Sequence, residues 1–400
     1  MLDFFSADVR RDPFPLYAHL RSVTPVLHVP ASDLYVLLDY DSVKRALTDH
    51  EAFGSNVSPS RGLSFEWLLF MDPPRHTQLR NIIARAFTPR SIYALEPRIR
   101  EISRDLLDAV IERGAMDLTA DYAAPLPLMV IAELVGMPPG EWQSLRRWSD
   151  AIIGLGSTIA GTEESSKMAS ARFLAANDEM AEYVGRLLVE RRSTPRDDLL
   201  TRMLDAEIDG ERLSELEILR FVQLLVAAGT ETTTNLVDNA ILSLLDEPAQ
   251  HAILEREPAR IPAAIEEVLR YRSPAQVMFR VTRREVVLHG VTIPAGKFIL
   301  VALGSANRDA SHFADADRFD IARDPNPHLA FGHGFHFCIG ASLSRLEARV
   351  ALGDLLARVR GIERASDEPW TPREAFHVHG PTSLPIRFRP SDATRAGRES

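Results

Sequence analysis

A mainly α-helical fold with a smaller β region is predicted for this 400-residue chain. Most periodic segments carry apolar residues at three- and four-residue steps, few runs read as strands, and no repeat, linker or shift in composition divides the chain. Residues 1–400 therefore read as one domain, with an ordered core of about 10–390 and a polar, disordered tail over 391–400.

In chain order, the apolar run 34–38 near the start reads as a strand and 41–47 as a helix. A helix over 75–86 follows Pro73 and Pro74, which suit a first helical turn. Helical periodicity continues over 92–113, 125–135, 142–153 and 171–192. At 214–245, Ser214 and Glu217 form a capping box, and Leu219, Phe221, Val222, Leu224, Leu225 and Val226 cover several faces, as in a helix buried all round. The helix 262–270 opens at Pro262 and stops before Ser273-Pro274. Short strands at 286–288, 291–293 and 298–301 are separated by His289-Gly290 and Pro294-Ala295-Gly296 turns. The last helix, 342–360, places Leu343, Leu346 and Val350 on one stripe.

Hydrophobic residues make up 45% of the chain and charged residues 26%, a normal balance for a soluble globular protein. A net charge of −10 argues against a nucleic-acid partner, which needs concentrated Lys and Arg. A single cysteine excludes an intrachain disulfide and suits a reducing compartment. Residues 1–21 mix charges with apolar residues and lack the apolar core of a signal peptide or a spanning helix. A monomeric cytoplasmic protein, not bound to a membrane, is expected.

The only cysteine, Cys338, lies in Phe331-Gly332-His333-Gly334-Phe335-His336-Phe337-Cys338-Ile339-Gly340, just before a helix. A helix N-terminus favours an anionic sulfur, and the glycines let the backbone approach a flat ligand closely. A buried, inert thiol is the plainer alternative. In the long helix, Ala228-Gly229-Thr230-Glu231-Thr232-Thr233 puts glycine, an acid and hydroxyls where helix propensity disfavours them, which reads as a kink or as a functional interruption. Glu267 and Arg270 share a helical face and suit an ion pair, as does many a surface pair. His76 and Arg80 stand one turn apart after Asp72-Pro73-Pro74, on a face that is either solvated or anion-binding.

The cysteine segment resembles the haem-binding loop of the cytochrome P-450 family, Phe-Gly-x-Gly-x-His-x-Cys-x-Gly, with every fixed position filled. Three further segments resemble that family in its order: Asp-Pro-Pro-x-His-x-x-x-Arg at 72–80, Ala-Gly-x-Asp/Glu-Thr-Thr at 228–233, and Glu-x-x-Arg at 267–270. The resemblance implies a helix-rich triangular prism, with haem b (iron protoporphyrin IX) held between the long helix and the cysteine loop. It implies that Cys338 is the iron ligand, that Phe331 packs beside the sulfur with Gly340 close by, and that His76, Arg80, Arg280 and His336 contact the haem propionates. Ala228 and Gly229 would open a groove for dioxygen, and Glu231 and Thr232 would steer protons to it. Glu267 and Arg270 would form a buried structural pair completed by Arg318, or alternatively by Arg323.

The activity implied is monooxygenation, using dioxygen as co-substrate and electrons from NAD(P)H through a separate ferredoxin reductase and a ferredoxin or flavodoxin. The acid-free stretch 73–95, holding Arg75, Arg85 and Arg90, is the candidate docking surface for an acidic carrier. By family position the substrate pocket draws on Trp67, Leu68, Leu69, Phe70, Ile153, Val226, Val277, Met278 and Val378, with Phe65, Leu155 and Ile159 also in range. An apolar terpenoid, steroid, fatty acyl or polyketide-like molecule is expected. Gly154, Gly156 and Gly161 suggest a mobile lid. Two alternatives remain open: a peroxide-driven peroxygenase, whose type lacks the acid and threonine found here, and a non-catalytic haem-based binding or sensing protein.

Overall fold

The computed structural model describes residues 6–57, 66–138, 140–154 and 163–391. The lid positions Gly156 and Gly161, the pocket positions Phe65, Leu155 and Ile159, and the tail 392–400 lie outside them. The described chain forms two compact units. One comprises Met1–Gly54, Ala94–Leu126 and Thr232–Ser400, the other Ser55–Tyr93 and Pro127–Glu231. Their dividing point, between Glu231 and Thr232, falls inside the long helix Glu215–Asp246.

The first unit holds the β structure. Its main sheet runs Val26–Val29, Leu34–Leu37, Phe298–Val301, Met278–Thr282 and Phe53–Gly54 from edge to edge. The central pairing is parallel, with Phe298 opposite Leu34, and the next is antiparallel, with Ile299 opposite Arg280. Leu37, Val43, Phe53, Ile299, Val301 and Leu303 are buried beneath it in one apolar cluster. A second sheet joins Val359–Arg364, Pro385–Pro390 and Ala115–Asp117. The strand readings 286–288, 291–293 and 298–301 match the observed strands. Val26–Val29, Val359–Arg364 and Pro385–Pro390 were not legible, and charge breaks the apolar alternation in the latter two.

Local chemistry explains the helix starts. Asp39 caps Tyr40–Thr48 by accepting the Ser42 N–H at 3.0 Å. The capping box forms as read, with Ser214 N–H to Glu217 Oε2 at 2.9 Å and Glu217 N–H to Ser214 Oγ at 3.3 Å. The expected helix 92–113 is instead broken into Pro89–Tyr93, Glu96–Asp108 and a short turn at Ile111–Arg113. Pro97 explains one break, since it can stand in the first turn of a helix but not in its interior. The long helix runs unbroken through its polar stretch. Thr230 Oγ1 donates to the Val226 carbonyl at 2.8 Å, so the hydroxyl is satisfied inside the helix.

Candidate active site

In the first unit, Cys338 is exposed in a turn that feeds the helix Ala341–Arg358. Its N–H donates to the Phe331 carbonyl at 2.9 Å, closing the loop on itself, and its carbonyl accepts the Ala341 N–H at 3.3 Å as the helix begins. Gly332 and Gly334 adopt φ of 71° and 72°, a left-handed backbone that favours glycine. A Cβ at Gly334 would also come within 3.1 Å of the Leu47 carbonyl oxygen. The loop is therefore rigidly shaped around an accessible sulfur at a helix N-terminus. No group of three or more His, Cys, Asp or Glu side chains among the described residues can hold a metal ion. A single accessible sulfur at a helix N-terminus is the kind of donor that haem iron can take from a protein. Arg280, 1% exposed on its strand, and His336 in the loop carry N–H groups of the kind that bond carboxylates.

Thr232, half-buried, and Thr233 lie on this unit's part of the long helix, and Thr233 Oγ1 stands 3.3 Å from Ser344 Oγ on the helix following Cys338. That contact brings the long helix against the cysteine helix within one unit. Glu347, buried on the same cysteine helix, has its carboxyl pushed well above the usual range by burial. Asp238, on the long helix, is likewise pushed up, to about 8, by burial; the Thr119 hydroxyl, 3.0 Å away, opposes that rise.

The Glu267–Arg270 pair is buried. Arg270 Nε and Nη2 each donate to Glu267 at 2.8 Å, and its remaining N–H groups reach the carbonyls of Asn307, Ala316 and Arg318. The third side chain is Arg323, whose Nε lies 3.2 Å from Glu267; Arg318, favoured by sequence, contributes only its backbone carbonyl. Sequence reasoning also passed over Glu266. This neighbour accepts both Arg345 Nε at 2.7 Å and Nη2 at 2.8 Å, and approaches His328 Nε2 at 3.0 Å. Burial pushes the Glu266 carboxyl up, but the Arg345 fork and then His328 outweigh it and hold it at about 2.

In the second unit, His76 is fully buried and Arg80 half-buried on the helix Arg75–Ala86. The His76 N–H donates to the Asp72 carbonyl at 3.0 Å, and the Asp72 carboxylate caps the Ser55 N–H at 2.8 Å. Glu231 is 9% exposed, Ala228 exposed, and Gly229 half-buried. A Cβ on Gly229 would meet Ile131 Cδ1 at 2.9 Å, so a neighbouring side chain packs closely against this glycine. Trp67 and Leu68 are buried, Leu69, Phe70 and Ile153 half-buried, and Val226 wholly buried. Trp67 Nε1 donates to Gln223 Oε1 at 3.2 Å. Of the first unit's pocket positions, Met278 is half-buried, and Val277 and Val378 line a cavity of ≈ 90 Å³ together with Tyr17, Phe376 and Leu300. The acid-free run around Arg75 is not acid-free in space. Arg75 is bonded to both Glu211 and Glu217, so its charge is compensated, whereas Arg85 donates to the neutral Glu207 carbonyl at 2.7 Å and keeps its charge.

A helix-rich fold with one accessible thiol at a glycine turn, beside a polar stretch of a long helix, defines the class of haem-thiolate oxidoreductases. Comparison with known proteins agrees. A family model described as cytochrome P450 matches residues 167–382. The chain is 37% identical to the cyclomarin C epoxidase CymV of Salinispora arenicola, over 96% of this chain and 98% of that protein. The solved structure of CYP109Q5 from Chondromyces apiculatus superposes with a TM-score of 0.90 at 38% identity, covering 98% of both chains. That of CYP109E1 from Bacillus megaterium, in complex with corticosterone, gives 0.87 at 36% identity, covering 95% of this chain and 99% of that one. The chain belongs to the cytochrome P450 family and is a monooxygenase, with the haem and dioxygen use the family implies. Among the described residues no helix is long and apolar enough to cross a membrane.

Proposed function

We propose that this monooxygenase hydroxylates or epoxidises an apolar small molecule of terpenoid, steroid, fatty acyl or polyketide-like class. The observation that carries the reading is the accessible Cys338 sulfur in its glycine-shaped turn at a helix N-terminus. Bound there, haem supplies dioxygen activation and transfer of one oxygen atom, while two electrons and two protons convert the other to water. Cys338 holds the iron as thiolate, favoured by the unpaired N–H groups of the Ala341–Arg358 helix. Arg280, His336, His76 and Arg80 donate to the propionates, and Phe331 and Gly340 pack near the sulfur. Ala228 and Gly229 would open a groove for dioxygen. Thr232 hands a proton from its hydroxyl toward dioxygen, and Glu231 replenishes it from solvent.

The mostly apolar set Trp67, Leu68, Leu69, Phe70, Ile153, Val226, Val277, Met278 and Val378 supports the substrate class. So do a structural neighbour holding corticosterone and a relative named as an epoxidase. Electrons come from NAD(P)H through a ferredoxin reductase and a ferredoxin or flavodoxin, and the enzyme works as a cytoplasmic monomer. Two spectra test the reading. The reduced carbon monoxide complex should show the red-shifted Soret band of a thiolate haem, lost in Cys338→Ser. A substrate-induced spectral-shift screen should find ligands among apolar compounds. Retention of the red-shifted band by Cys338→Ser would sink the ligand assignment, and hits confined to polar compounds would sink the substrate class.

A further inference from the structure

Around the cysteine turn, the fold builds a polar assembly that the reaction as described does not use. Arg345 lies two helical turns beyond Cys338, and its guanidinium carbon sits 4.4 Å from the centroid of the Phe331 ring. Its other edge is gripped by both oxygens of Glu266, at 2.7 and 2.8 Å. His328 Nε2 holds Glu266 Oε2 at 3.0 Å, and the His328 and Phe331 rings are 6.1 Å apart. Phe331 in turn accepts the Cys338 N–H at 2.9 Å, and its ring lies 6.3 Å from that of Phe337. All of these residues belong to the same compact unit.

We propose that Glu266, Arg345 and His328 form a clamp that positions the Cys338 turn, with the flat Arg345 guanidinium pressing Phe331 into place. The proposal rests on Cys338 being the iron ligand. The clamp's parts have distinct roles. A carboxylate that takes both Nε and Nη2 fixes the plane of the guanidinium, not merely its position, and only a fixed plane can lie against a ring. His328 keeps the carboxylate from rotating away. Phe331, pinned from one side by a cation, then holds its carbonyl toward the Cys338 N–H, so the sulfur's backbone cannot relax when the thiolate is stretched or protonated. Arg345 is thus a positioning residue, two contacts removed from the sulfur, and its planarity matters as much as its charge.

Arg345→Lys separates these properties, since it keeps the charge and loses both fork and face. The holoenzyme is held as its reduced carbon monoxide complex in urea below the unfolding midpoint, and decay of the red-shifted Soret band is timed alongside far-UV circular dichroism. Arg345→Lys and Glu266→Gln, each held equally far below its own unfolding midpoint, should lose the band roughly tenfold faster than the parent, about 1.4 kcal/mol off the barrier. Arg349→Lys is the control: it lies one turn on and pairs with Glu96 at 2.6 Å, away from Phe331. It should decay at the parent rate. Parent-like decay in both Arg345→Lys and Glu266→Gln overturns the clamp, as does equal acceleration in Arg349→Lys. If Arg345→Lys does not load haem, Glu266→Gln alone decides by the same criterion. A parent enzyme that never shows the band overturns the ligation reading itself, and the clamp falls with it.

Discussion

Replacing Arg270 with methionine tests the buried ion pair most severely, because Arg270 is wholly buried and ties four places together. It supplies a two-point contact to Glu267 and donates to the carbonyls of Asn307 at 3.0 Å, Ala316 at 2.7 Å and Arg318 at 2.9 Å. Arg270→Met leaves the Glu267 carboxylate buried without its main partner, a change that costs about 3–5 kcal/mol in comparable buried pairs. Orphaning the Asn307 and Ala316 carbonyls adds roughly 1 kcal/mol each where no water reaches them, while the Arg318 carbonyl keeps Arg323 Nη2 at 3.2 Å. Residual bonds to Glu267 from Arg323 at 3.2 Å and from the Asp320 N–H at 2.9 Å return part of this. The expected loss is therefore about 5 kcal/mol, comparable to the whole stability of many domains. Urea unfolding followed by circular dichroism measures it, with Arg323→Ala expected to lose about 1–3 kcal/mol because it removes only the third partner. A loss below about 1 kcal/mol for Arg270→Met would show that the pair merely occupies space, and the argument from burial would fail.

Thr232→Ala should bind substrate nearly normally but divert reducing equivalents to peroxide, lowering coupled product by roughly 10²-fold; unchanged coupling removes Thr232 from the proton path. Asp238 has a folded pKa raised to about 8, so its contribution to stability is present below the unfolded value near 4 and is lost as pH rises toward 8. Asp238→Asn should accordingly gain on the parent across that window, by up to about 4 kcal/mol at pH 7, and a gap that does not vary with pH refutes the shift. Gly229→Ala should lose about 1–3 kcal/mol through its clash with Ile131 at 2.9 Å, and Ile131→Val should restore much of it. Failure of that rescue would mean the glycine is needed for something other than packing.

Much of the fold was legible because its signals are local. A capping box at Ser214 and Glu217, prolines before the helix Arg75–Ala86 and glycines around Cys338 act within a few residues, so chain order alone reveals them. Helical periodicity survived even where the long helix turns polar, since Thr230 satisfies its hydroxyl on its own backbone. The strand Val359–Arg364 escaped because it is recognised by its partner Pro385–Pro390, and pairing between distant segments leaves little trace in either alone.

The sequence by itself determined the helix-rich class and the cysteine turn, for both depend on residue type and short spacing. Only the tertiary structure decided which charges meet. Arg323 rather than Arg318 reaches Glu267, Glu266 grips Arg345 from 79 positions away, and Arg75 pairs with Glu211 and Glu217, 136 and 142 positions further on. Long side chains pair with whatever the fold brings within a few ångströms, and Coulomb attraction depends on that distance and on burial, neither of which is written in the order of residues.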